Sequence, residues 1–226
     1  MSTDRRSFLT QLGAGVTVAG GTLASGVSLA SAQSAPNFKP AKHAQDDWMD
    51  KIPGKHRLVL DATTPASFGA ALAYANTFLT ANKDGYGLND SDGAVIIVAR
   101  HFATTYAYND AIWAKYGKAI PPMAGIDDPK TKQRPAINLF AATGYNDLPN
   151  LGTTIPEVVQ RGIHFAVCQL ATTFFAGMFA QATNGTQAAV FKELTDNLVP
   201  NSHLAAAGIV AVNRAQERGY TLATPI

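Results

Sequence analysis

Cys168 is the single cysteine of this chain, and its neighbours give it a chemical context. It closes the short apolar run Ile163-His164-Phe165-Ala166-Val167, and an apolar helical stretch expected to start near Ala171 or Thr172 follows it. A thiol beside a helix N-terminus feels the positive end of the helix dipole and unpaired backbone N–H groups. Both favour thiolate, the nucleophilic form. A packed core cysteine fits the same position, because cysteine is among the most often buried residue types. Position alone leaves both readings open.

One rule of α/β proteins supplies the remaining candidates. In an open parallel sheet, ligands collect at the carboxyl ends of the strands. That selects Thr63 and Thr64 after the first apolar run, His101 after the second, Cys168 and the adjacent Gln169 at the third, and Gly208 after the fourth. Thr63, Thr64, Gln169 and Gly208 are expected to line a substrate pocket. His101 is placed to stabilise an anion or move a proton, and equally to cap a strand end. His56 and His203 begin strands on the opposite edge and are expected to be structural. His164 lies four residues before Cys168, on the same strand face but ~13 Å away at ~3.3 Å per residue, too far for a Cys–His dyad.

Several chemistries are excluded. One cysteine gives no internal disulfide. Cys168 with His101 is too thin a ligand set for structural zinc, which takes four, so no metal or other cofactor is expected. No P-loop, hydrolase elbow or paired-carboxylate motif occurs in the sequence. A formal net charge of +2 offers no basic face for nucleic acid.

The elements that must position these residues follow from periodicity. Arg57 to Ala62 is a short apolar run ending in Thr63-Thr64-Pro65, a strand and a turn. Phe68, Leu72, Ala75, Phe78 and Leu79 share one face of a helix over 67–83. Ala94 to Ala99 is continuously apolar, as in a strand buried on both faces of a parallel sheet. A helix is expected over 104–118 and a short one over 155–161, with Pro156 in its first turn. The third strand is 163–168. Helices over 172–181 and 187–198, a strand over 203–207, a helix over 208–218 and a last strand over 220–223 complete the order. Strands alternating with helices give a three-layer α/β domain over 55–226, with a mainly parallel sheet and helices on both faces. Residues 119–153 are an irregular, proline-punctuated insertion with an optional extra strand at 136–140, able to cover the site.

Part of the chain lies outside that domain. Arg5-Arg6-Ser7-Phe8-Leu9 is a twin-arginine pattern, followed by a mildly apolar stretch from Leu12 to Leu29 and the small-x-small site Ala30-Ser31-Ala32. This is the layout of a cleavable twin-arginine signal peptide over 1–32. The alternative is a permanent anchor. The glycines between Gly13 and Gly26 dilute the hydrophobicity below what a stable span needs. The mature protein is therefore expected in the periplasm with no stable membrane anchor. Residues 33–54 form an arm that Trp48 docks on the body.

With these residues in place, the chain resembles the DsrE/DsrF-like sulfur-relay family. Gly162 to Cys168 with its following apolar helix resembles the family's cysteine motif. Leu198-Val199-Pro200 and the stretch from Ala207 through Arg218-Gly219-Tyr220 resemble its closing region, and 56–63 its opening strand. The leader, the arm and the insertion have no part in the resemblance. It implies a flavodoxin-like fold, homo-oligomers or hetero-oligomers, and a cysteine, matched by Cys168, that carries sulfane sulfur as a persulfide. The implied partners are sulfur-donor and sulfur-acceptor proteins or small thiols. The competing expectation is a non-catalytic oligomeric binding or assembly module in which Cys168 is a core residue.

Overall fold

The structure is a computed structural model that describes residues 39–226. The expected twin-arginine leader and the first residues of the arm lie outside the described residues. Five strands build the sheet: β1 (His56–Ala62), β2 (Gly93–Ala99), β3 (His164–Cys168), β4 (Ser202–Ala205) and β5 (Thr221–Ala223). Their order is β4-β3-β2-β1-β5, and every pairing is parallel. The fold is a three-layer α/β fold of flavodoxin-like type.

Alternation along the strands builds two cores, because successive side chains point to opposite faces. Leu60, Val95, Ile97, Phe165 and Val167 face one side. Val59, Ala94, Ile96, Val98, Ala166 and Ala205 face the other. The first face is covered by the helices that carry the chain from β1 through β4. They include α2 (Pro65–Tyr86), α5 (Gln169–Thr183) and α6 (Gln187–Asp196), which bury Phe68, Leu72, Phe175, Phe179 and Leu194. The second face is covered by α7 (Gly208–Gln216), which connects β4 to β5, and by α1 (Trp48–Lys51). Right-handed crossovers explain this division. Three steps in one direction along the sheet keep their helices on one face, and the long return from β4 to β5 places α7 on the other. The connections leaving β3 and β4 therefore diverge to opposite faces, which opens a crevice between the carboxyl ends of those two strands.

Local chemistry fixes the element ends. Thr64 and Ser67 form a reciprocal capping box at the start of α2, with Pro65 at its first position. Gly87 ends it in the left-handed conformation at φ +68°.

Two expectations are corrected. The continuous helix expected over 104–118 is instead a 3-10 helix (His101–Ala107), an extended step at Tyr108, and then α3 (Asp110–Tyr116). Asn109 caps the new helix by accepting from the Ala111 N–H at 3.0 Å. Tyr108 pairs instead with Leu198 in an antiparallel bridge. The optional strand at 136–140 is also absent and is replaced by turns. The buried Asn138 draws that run inward, donating from its side chain to the carbonyls of Tyr106 and Tyr108, both at 2.9 Å. Leu139, Phe140 and Leu148 follow it into the first core, so the insertion is a packed lobe that leads into α4 (Ile155–Gln160).

The described part of the arm places Trp48, Met49 and Ile52 on the second face. Met49 is fully buried, and Tyr220 donates to its carbonyl at 2.8 Å. No helix among the described residues is long and apolar enough to cross a membrane.

Candidate functional site

Cys168 is the last residue of β3 and also the N-cap of α5. The helix starts at once at Gln169, earlier than its apolar periodicity suggests, because the sulfur supplies the cap. Its Sγ accepts a hydrogen bond from the Ala171 N–H at 3.4 Å, satisfying one of the first-turn donors. The backbone is held from below. Thr172 Oγ1 donates to the Cys168 carbonyl at 3.0 Å, and the fully buried Tyr108 hydroxyl donates to Thr172 Oγ1 at 3.1 Å. Burial pushes the Tyr108 phenol above its ordinary pKa, so it stays a neutral donor.

Cys168 is 7% exposed, and it lines a cavity of about 400 Å³. The cavity lies in the crevice between the diverging connections. The segment just after β2 contributes Arg100, His101 and Phe102, β3 contributes Cys168, and the start of α7 with its cap contributes Ala207, Gly208 and Ile209. Leu170, Phe174 and Phe175 of α5 form the remaining wall.

Arg100 is fixed in this wall. Its Nε and Nη2 donate to the two carboxylate oxygens of Asp61 at 2.7 and 2.8 Å, the fork geometry of a strong guanidinium–carboxylate pair. The pair raises the pKa of Arg100 further. It cancels much of the guanidinium charge but leaves Nη1 with no hydrogen-bond partner among the described residues. The second donor set on the cavity is the start of α7. Its N-cap, Ala207, has no side chain able to cap, so the first N–H groups of that helix keep their positive end open. His101 takes a left-handed backbone at φ +52°, a conformation in which His is enriched among non-glycine residues. The turn lets the N–H groups of Phe102 and Ala103 both reach the Thr63 carbonyl, at 3.1 and 3.2 Å.

The sequence candidates divide on this geometry. Cys168, His101 and Gly208 meet at the cavity. Thr63, Thr64 and Gln169 are not among its lining residues. Thr64 spends its hydroxyl on the α2 capping box, Thr63 gives its carbonyl to the turn after β2, and Gln169 is exposed on the first turn of α5. No residue of 119–153 lines the cavity, so the insertion does not cover the thiol.

Sequence reasoning missed the Arg100–Asp61 pair and the apolar mouth. Arg100 follows β2 directly, and its charge after a wholly apolar strand was the available signal. It also missed a second cluster at the other edge of the sheet. The Trp48 ring stacks on His203 with centroids 3.9 Å apart, and His203 Nε2 lies 3.0 Å from His164 Nδ1. Among the described residues, no group of three or more His, Cys, Asp or Glu is arranged to hold a metal ion.

No family model matches the chain, and no curated protein matches it in sequence.

Proposed function

We propose that the chain is an exported sulfur carrier that holds sulfane sulfur as a persulfide on Cys168. The observation that carries this reading is the convergence on one sulfur atom. Cys168 caps a 15-residue helix and opens into a cavity that also receives Arg100, His101 and the start of α7. The resemblance to the DsrE/DsrF-like family at Gly162 to Cys168 supports the same assignment, as does the twin-arginine pattern at Arg5-Arg6 for export to the periplasm.

The step is a balanced exchange without an external oxidant. Cys168 Sγ, as thiolate, attacks the outer sulfur of a donor persulfide R–S–S–H. The new bond joins Sγ to that sulfur, the donor S–S bond breaks, and R–S⁻ leaves with its electron pair and takes up the proton that Cys168 released. An acceptor thiolate then repeats the attack on the outer sulfur of the Cys168 persulfide. One cysteine suffices because donor and acceptor, whether proteins or small thiols, bring their own sulfur. Arg100 Nη1 and the free N–H groups of α7 stabilise the anionic sulfur, and His101 at the exposed rim exchanges the proton with solvent.

Low exposure of Cys168 favours a second reading, a non-catalytic oligomeric module in which the thiol is a packed cap. One experiment separates the two. The protein lacking residues 1–32 is incubated with a persulfide donor and its intact mass is measured. Gain of one sulfur on wild type and none on Cys168→Ser supports the carrier. An unmodified wild type whose Cys168 also resists alkylation overturns it.

A further inference from the structure

The walls of the cavity are more selective than its thiol requires. Leu170, Phe174 and Ile209, which line the cavity, are 66%, 57% and 59% exposed and form its solvent-facing apolar part. Phe102, Ala171 and Phe175 add further apolar surface to the same lining. The same lining carries Arg100, Cys168 and the start of α7, and here Arg100 and Cys168 are the less exposed residues, at 19% and 7%. At about 400 Å³ the space falls in the ~300–1,000 Å³ range of small-molecule sites.

We infer that the cavity binds a small organic persulfide with an apolar aryl or alkyl body, its S–S–H head at Cys168 and Arg100 and its body against Leu170, Phe174 and Ile209. This rests on the sulfur-carrier reading and names its substrate class. The occupant is polarised as the cavity is. The persulfide head meets N–H donors that hold the sulfur anion of the exchange, and an apolar body covers carbon surface that water otherwise wets. A donor such as glutathione persulfide would instead have to desolvate two carboxylates and an ammonium against phenyl and leucyl side chains, which opposes binding. A flat protein surface fits less well, because a cysteine only 7% exposed in the lining of a cavity is reached by a slim group that enters it. The exchange is the balanced one given above, with R an aryl or alkyl group and R–S–H the product.

The test compares benzyl persulfide with glutathione persulfide on the protein lacking residues 1–32, with the rate of sulfur gain on Cys168 as readout. The expected result is a rate at least about tenfold higher for benzyl persulfide, the discrimination a few apolar contacts provide. Phe174→Gln, at an exposed position outside the core, is expected to remove most of that difference. Equal rates, or a preference for glutathione persulfide, overturn the inference while leaving the carrier reading intact. Equal slow rates from a dimer that Phe174→Gln dissociates in sedimentation assign the mouth to a second copy of the chain, and also overturn it. If neither donor modifies Cys168, the carrier reading fails. Binding of benzyl mercaptan to Cys168→Ser by calorimetry then decides the cavity separately: heat of binding that Phe174→Gln abolishes sustains an apolar small-molecule site, and none refutes it.

Discussion

The stem of Arg100 occupies the space that a side chain on Gly208 would need. A Cβ on Gly208 would lie 2.3 Å from Arg100 Cβ and 2.8 Å from its Cδ. The first of these contacts is to an atom fixed on the backbone, so rotation of the arginine cannot relieve it. Gly208→Ala is therefore expected to push α7 away from the end of β2 and to disturb the Arg100–Asp61 pair. Overpacking of this kind costs about 1–3 kcal/mol. At roughly 2–4 °C per kcal/mol for a chain of this size, calorimetry should show a clear fall in Tm. An unchanged Tm would mean that the turn after β4 yields freely.

Cys168→Ser separates the two roles of that residue. Serine is among the preferred N-cap types, so its hydroxyl is expected to replace the Sγ contact to the Ala171 N–H at equal or better strength. Thermal unfolding should show a Tm equal to or above wild type, while persulfide formation disappears. A large loss of stability would instead make Cys168 a packing residue whose sulfur volume matters.

The sheet was largely legible in the chain, because Ala94 to Ala99 and Ile163 to Cys168 are too apolar to lie anywhere but between two layers. The position of Cys168 followed from the same pattern. The break at Tyr108 and Asn109 was not legible as apolar periodicity, although Asn109 is a capping residue type. Its cause is distant: the Tyr108 bridge to Leu198 and the bonds from Asn138 come from segments far along the chain. The cavity was half legible. Strand ends select His101, Cys168 and Gly208, but they also select Thr63 and Thr64, which lie beyond the crevice. Choosing among strand ends needs the strand order, and nothing local in the sequence states that β3 and β4 send their helices to opposite faces.

Asp61→Ala tests the support of the cavity wall. Asp61 and Arg100 are 8% and 19% exposed, so removal of the carboxylate leaves a largely buried guanidinium without its partner. Loss of one member of a buried pair costs about 3 kcal/mol or more. Urea unfolding should show a lower midpoint with an unchanged slope. Arg100 is then free to swing out of the wall, and persulfide formation on Cys168 should slow. A stability loss without any change in that rate would remove Arg100 from the transfer step.

The His203 ring, stacked under Trp48 and beside His164, gives the fold a pH dependence of known sign. Burial, and then the neighbouring His164, lower its pKa from 6.5 to about 4. Burial lowers His164 in the same direction. Above pH 6.5 both folded and unfolded chains keep His203 neutral, and the stacked arrangement contributes its full stability. As pH falls from 6.5 toward 4, the unfolded chain takes up a proton that the folded chain refuses, so unfolding becomes progressively easier. Near pH 4 the folded ring also protonates, and this contribution to the slope ends. Unfolding midpoints measured from pH 7.5 to 4 should fall across that window in wild type, and His203→Phe, which keeps the stack on Trp48 without the titration, should flatten the fall. Equal slopes in the two proteins would assign the acid sensitivity to other groups.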